Sequence, residues 1–368
     1  YWYHPHPHHR TGVQVYRGLA GVLIVSDDEE AAAGLPSGAQ ELVCVLQDRA
    51  FTAENQLAYP EDMMTQRLGF LGQRALVNGR EHPRVRVGTR AYRLRLLNAS
   101  SSRVYSLVWS DGTPMTVIGS DGGLLERPVQ QRAVTLAPAQ RVDVIVNFSG
   151  RTVGSTVELR SAPFPAAEVA PLSGGMGGGG MGRGRSAAAE VPLGAPLTLM
   201  TFEVARRETE RFVLPERLST FDAAWSAGPD LPTRRIELSF AAGQWLLAGR
   251  TFDMTDVARE EIVRAGGTQL WEVANVGGMM GTPMAHPLHV HGPQFRVLSR
   301  TRAGGGPTPA VADGRVDAGW MDTVLVLPNE TARLHVRFTR HPGLYLYHCH
   351  ILEHEDLGMM RNLRVVSE

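Results

Sequence analysis

The stretch Tyr345 to Met360, YLYHCHILEHEDLGMM, limits what this chain can fold into more than any other. Alternate side chains of a β-strand leave opposite faces, so His348 and His350 point one way and Cys349 the other. One strand of this kind serves two metal sites, a thiolate on one side and imidazoles on the other. A second cluster, HPLHVHG, divides in the same manner: His289 and His291 share a parity, and His286 has the opposite one. Near the start, WYHPHPHH puts His4 and His6 on a common face, and Pro5 between them predicts an edge strand. Grouping by face sets Cys349 with His286, and collects His4, His6, His289, His291, His348 and His350 elsewhere. His354 and Met359 add an imidazole and a thioether to the first group. A cysteine thiolate, two imidazoles and a long thioether are the ligands of a blue-copper electron-transfer site. Structural zinc is the alternative, but zinc sites are closed tetrahedra, and here too many ligands alternate across one strand.

The remaining sequence predicts an all-β protein. Tyr92 to Leu97, Arg141 to Phe148, Thr323 to Leu327 and Arg333 to Phe338 alternate with strand periodicity between Gly, Pro, Asn and Asp punctuation. With 40 Gly and 23 Pro and few long amphipathic windows, Greek-key sandwiches or barrels are expected, with short peripheral helices. A length of 368 residues predicts two or three domains. The acidic, Ala/Gly/Pro stretch Ser26 to Ala39 and the Pro-punctuated stretch Pro215 to Pro232 are read as linkers. Ser173 to Ala189, SGGMGGGGMGRGRSAAA, has too little apolar surface to offset its ordering entropy and is read as a loop within the middle domain.

Lys+Arg and Asp+Glu are each 37, so no basic excess draws the chain to nucleic acid or to an anionic membrane surface. All the basic residues among these are arginine. The longest apolar run, near Gly18 to Val25, is far shorter than the roughly 20 residues that span a bilayer. The two cysteines, Cys44 and Cys349, sit in contexts too different to form a disulfide framework. The chain opens at Tyr1 with no export signal, which predicts a processed or truncated start.

The pattern H-C-H-x-x-x-H-x-x-x-x-M downstream of H-x-x-H-x-H resembles the multicopper oxidases, with both spacings matched without a gap. WYHPHPHHRTGVQVYRGLAG, LQDRAF, LRLLNAS, SDGGLL and FDM extend the likeness toward the copper-efflux oxidase and bacterial laccase branch. The resemblance implies tandem cupredoxin domains and four-electron reduction of O2 to water at the expense of one-electron donors, phenolic or cuprous. It implies that His286, Cys349, His354 and Met359 bind type 1 copper, and that His289 binds type 2 copper. His4, His6, His291, His348 and His350 would hold the binuclear type 3 pair. The family draws two more histidines from an H-x-H motif upstream of WYHPH, a motif this chain lacks. Residues 1–30 therefore look like the closing part of a first cupredoxin domain, 31–215 like a second, 216–232 like a linker and 233–368 like a third. A periplasmic or extracellular location follows from the same likeness.

Further residues carry expectations of their own. Glu355 resembles the family's proton-relaying carboxylate, against the alternative of a solvated charge at a helix start. Asp322, in GWMDTV, is expected to fix backbone or a ligand imidazole. Met279, Met280 and Met284 precede His286 where an electron donor approaches, and soft thioethers suit cuprous ion; gap-filling is the alternative. Met176 and Met181 are read as linker, His8 and His9 as loop residues, and His82, His335 and His341 as ordinary histidines. A blue-copper electron carrier with only the cysteine site filled is the competing function. A copper nitrite reductase is disfavoured by His350, the second histidine flanking Cys349.

Overall fold

The computed structural model describes residues 1–170, 191–221, 231–278, 284–304 and 308–367. Its elements are almost all strands, and its α-helices have 4 to 6 residues. The strands form two successive β-sandwiches. In the first, a seven-stranded sheet runs in the order Gly123–Gln131, Met115–Ser120, Arg141–Asn147, Ala91–Asn98, Glu41–Arg49, Arg74–Val77, Arg80–Glu81. It faces a five-stranded sheet whose longest member is Leu197–Arg206. Leu46, Leu94, Leu107, Val117, Val144 and Phe202, all buried, fill the space between them.

The second sandwich pairs two five-stranded sheets. One is centred on Thr268–Gly278, and the other runs Ile262–Arg264, Met360–Val366, Gly343–Cys349, His286–Val290, Thr323–Val326. Alternation explains these strands: in His286–Val290, Leu288 and Val290 enter the core while His289 leaves on the other face. The Gly343–Cys349 strand is the middle strand of its sheet, bonded on both sides, with Leu288 opposite Cys349 and His289 opposite His348.

The N-terminal segment departs from the expected strands. Trp2–Tyr3 pairs with Gly21–Val22, and between them stands the short helix Thr11–Tyr16. His4 and His6 lie just beyond the Trp2–Tyr3 strand, not on an edge strand, because Pro5 and Pro7 have no N–H to continue a ladder. The segment read as a linker at Ser26 to Ala39 contains a helix, Asp28–Ala32, capped by the Asp27 carboxylate. Glu30 of that helix pairs with Arg93 and Arg95, which fastens the segment to the first sandwich. The Gly/Met-rich loop 173–189 and residues 222–230 of the second linker lie outside the described residues. Among the described residues no helix is long and apolar enough to cross a membrane.

Candidate metal centres

Two clusters of donor atoms lie on the two faces of the Gly343–Cys349 strand. On the core face, Cys349 Sγ is 3.4 Å from His286 Nδ1 and 3.7 Å from His354 Nδ1, and all three residues are buried. The Ile351 N–H donates to the sulfur at 3.4 Å, a contact that favours a thiolate. Met359 is fully buried in the same loop, its N–H bonded to His354 O and its carbonyl to Cys349 N. On the opposite face the rings of His4, His6, His289, His291, His348 and His350 converge, with neighbouring centroids 4.3 to 5.7 Å apart. His291 Nε2 and His348 Nε2 are 3.0 Å apart.

Hydrogen bonds fix which nitrogen of each ring is free. A carbonyl oxygen only accepts, so a ring nitrogen facing one carries the proton. Nδ1 of His4 faces Pro5 O, Nδ1 of His289 faces Asp322 O, and Nδ1 of His348 faces Cys349 O. In each case the lone pair is left on Nε2. His354 is turned the other way: its Nε2 donates to Arg67 O at 2.9 Å, which leaves Nδ1 toward the sulfur. The cluster therefore offers Nε2 atoms and the cysteine site offers an Nδ1.

Burial pushes His4 and His354 down to about 3, and holds His286, His291 and His350 well below the usual imidazole range. Neutral imidazoles are what a metal ion requires. His348 is the exception, because Glu355 outweighs its burial and raises it. Burial also pushes the Cys349 thiol up, so metal binding must displace its proton. Both ring nitrogens of His350 are buried with no hydrogen-bond partner, a costly state that metal coordination would relieve. The residues present thus fit copper: soft sulfur plus imidazole at one site, imidazoles alone at the other.

Glu355, on the short helix Leu352–Asp356, is buried rather than solvated. Its Oε1 lies 2.8 Å from His6 Nδ1 and its Oε2 3.2 Å from His348 Nδ1, and these imidazoles hold the carboxyl well below its usual range against the effect of burial. Asp322 Oδ1 lies 3.4 Å from His289 Nδ1. Met284 is buried in the core of the second sandwich, and Met279 and Met280 lie outside the described residues. His9 Nδ1 contacts Asp356 O and His8 stacks on His9, so neither joins the cluster. His82 and His341 are exposed, and His335 is buried in a strand away from both sites.

Sequence reasoning missed Trp245, whose indole stacks on His354 with centroids 4.2 Å apart and meets His286 edge-on at 5.0 Å. Its signal was the lone aromatic in QWLL. It also missed the loop that caps His354. The helix Met63–Leu68 presents Arg67 O to that ring and ends at Gly69, whose φ is +84°. A Cβ at Gly69 would lie 2.9 Å from Ile351 Cγ2 and closer still to Ser102. Gly69→Ala should therefore destabilise the protein by about 2 kcal/mol, from left-handed strain plus overpacking, read as a lowered denaturation midpoint.

A buried cysteine site sharing one strand with a multi-histidine cluster, in tandem β-sandwiches, defines a copper redox protein. Models of the multicopper oxidase family match residues 51–155 and 233–368. The chain is 30% identical to a laccase of Bacillus subtilis, over all of this chain and 70% of that protein. It is 31% identical to a bilirubin oxidase of Albifimbria verrucaria, over 98% of this chain and 59% of that one. Among solved structures, the multicopper oxidase McoA of Aquifex aeolicus superposes with a TM-score of 0.81 at 32% identity, covering 99% of this chain and 75% of that one. A laccase of Pediococcus acidilactici gives 0.78 at 35%, covering 99% and 69%. This chain belongs to the multicopper oxidase family, and its sandwiches are cupredoxin folds.

Proposed function

We propose that the chain takes electrons one at a time from a donor at the Cys349 site and delivers them to O2 at the histidine cluster. The observation that carries this is the shared strand: Cys349 is covalently joined to His348 and His350, whose rings belong to the other cluster. In this reading His286, Cys349, His354 and Met359 hold type 1 copper, and His289 holds type 2. His4, His6, His291, His348 and His350 hold the type 3 pair. Copper, when bound, supplies one-electron redox chemistry at the first site and O2 reduction at the second. The protein's part is to bind, orient and insulate. Nδ1–H bonds to backbone lock the ring orientations of His4, His289 and His348, and burial keeps water from the cysteine site.

Glu355 is the proton-relay group of this reading, since it bridges two cluster imidazoles from a buried position. Glu355→Gln should slow O2 reduction by about 10²- to 10⁴-fold while anaerobic donors still bleach the blue band at the normal rate. Equal slowing of both phases, resolved by stopped-flow absorbance, would assign Glu355 no special part in the oxygen step.

Laccase and bilirubin oxidase among the relatives favour an organic donor, with cuprous ion as the second class to assay. We assign residues 1–30 to the close of a first cupredoxin domain, 31–215 to the second and 233–368 to the third, joined by 216–232. Two separate hydrophobic cores, from Leu35 to Leu218 and from Ile236 to Val365, support the last two. The reading implies a periplasmic or extracellular setting.

Copper counting tests the whole. One blue copper is expected on this chain, and four with O2 uptake once the family's H-x-H segment is supplied. A single copper and no O2 uptake even then would leave an electron carrier.

A further inference from the structure

The first sandwich contributes none of the ten residues assigned above as copper ligands, yet it reaches the cluster through a buried network. Arg141, at the start of the Arg141–Asn147 strand, crosses to the second sandwich and grips Asp322 with two parallel bonds, NH1 to Oδ1 at 2.7 Å and NH2 to Oδ2 at 2.6 Å. Asp322 in turn faces His289: its carbonyl oxygen accepts from Nδ1 at 3.0 Å and its Oδ1 lies 3.4 Å from the same nitrogen. Thr323 Oγ1, bonded to Asp322 Oδ1 at 2.9 Å, is a third neighbour of that nitrogen at 3.0 Å.

Asp121, also from the first sandwich, closes the frame. Its Oδ1 accepts the Arg141 N–H at 2.7 Å, and its Oδ2 accepts the N–H groups of Asp322 at 3.3 Å and Thr323 at 3.1 Å. Arg141 NH2 also donates to the Asp121 carbonyl at 3.0 Å. Of the three atoms that meet His289 Nδ1, Asp322 Oδ1 is thus held directly by Arg141, Thr323 Oγ1 is held through that carboxylate, and Asp322 O, which also accepts the Val290 N–H at 2.9 Å, belongs to a residue whose own N–H is held by Asp121.

We infer that Arg141 and Asp121 are positioning residues for His289: they fix Asp322 and Thr323, and so set the tautomer and angle at which His289 presents Nε2 to type 2 copper. The inference rests on His289 being a copper ligand. A bidentate guanidinium–carboxylate pair is directional, so it fixes orientation as well as charge. Without it the Asp322 side chain is free to turn, and the two side-chain neighbours of the imidazole N–H, Asp322 Oδ1 and the Thr323 Oγ1 bonded to it, shift. The first sandwich then has a role in metal chemistry that no ligand count reveals.

The test uses the copper-loaded enzyme with its H-x-H segment, comparing Arg141→Met, Arg141→Lys and Asp121→Asn with His289→Ala. Type 2 copper is followed by its electron paramagnetic resonance signal during chelator competition, and blue absorbance reports the Cys349 site in the same sample. Arg141→Met should lose type 2 copper at about 10- to 100-fold lower chelator concentration, with blue absorbance unchanged. Arg141→Lys, which keeps the charge but not the fork, should restore only part of the loss. Asp121→Asn preserves volume and should show a smaller loss of the same kind, and it serves if Arg141→Met does not fold. Type 2 copper as resistant in the folded Arg141 or Asp121 variants as in the parent, while His289→Ala loses it, overturns the positioning role alone. Type 2 copper retained in His289→Ala overturns the ligand assignment and the inference with it.

Discussion

In the enzyme supplied with its H-x-H segment, Cys349→Ser should yield a folded, colourless protein with no donor oxidation, while the histidine cluster keeps its copper. The argument starts from the size match of the two side chains. Serine occupies slightly less volume than cysteine, and its oxygen can accept the Ile351 N–H that now reaches the sulfur. Burying a hydroxyl in place of a thiol at this fully buried position costs about 1–3 kcal/mol, within the stability of an ordinary domain. Chemistry suffers far more. The blue colour and the electron path both depend on a thiolate–copper bond, and a hydroxyl cannot ionise there to replace it. Visible absorption and oxygen uptake measured on one preparation decide the matter. A variant that still oxidises donors at the parent rate refutes the assignment of the cysteine site.

Glu261→Ala should be the most destabilising single change outside the metal ligands. Arg361 donates to Glu261 through Nε at 2.8 Å and NH2 at 2.6 Å, and both side chains are buried. Tyr347 OH and the Ala258 N–H complete the carboxylate's partners at 2.7 Å each. Removing the acid leaves two buried guanidinium groups, Arg361 and Arg234, with one carboxylate beside them, Asp256, and neutral acceptors at Thr251 O and Tyr347 OH. Breaking such a pair costs about 3–5 kcal/mol, which corresponds to a fall in Tm on the order of 10 °C. The pH dependence has a definite sign. Burial acts against the charged carboxylate, but the Arg361, Ala258 and Tyr347 bonds overcome it and depress the Glu261 pKa. Its stabilisation is therefore complete above the ordinary carboxylate pKa and is lost as pH falls toward the depressed folded value. Denaturant midpoints between pH 7 and pH 3 should fall in the parent and stay flatter in Glu261→Gln. A parent curve no steeper than the variant's refutes the pairing argument.

The division of the site was legible in the sequence wherever strand parity carried it. His286 and Cys349 share one face, and His289 and His348 the other, because a period of two leaves no choice once a strand forms. His4 and His6 meet the rings of His291, His348 and His350, with which parity grouped them, although prolines ended the strand expected to carry them. Charge patterns were less readable. The acidic run around Glu30 looked like a solvated linker, since nothing in it reveals that Arg93 and Arg95 wait 63 and 65 residues away. Arg141 and Asp322 are separated by 181 residues and meet across two sandwiches, which no local periodicity encodes. Trp245 was invisible for the same reason: a tryptophan in a short strand reads as core, and only the fold brings it to the rim of the Cys349 site.

The position of the Gly343–Cys349 strand constrains how this protein can be regulated. Because that strand is central, with neighbours bonded along both edges, the spacing between sulfur and flanking imidazoles is set by the covalent chain, about 3.8 Å from one Cα to the next. Displacing either sandwich as a body cannot lengthen the wire, because His348, Cys349 and His350 are consecutive residues. A geometric throttle on turnover must therefore act on access to the two sites or on the groups that orient their ligands, and leave the conductor untouched.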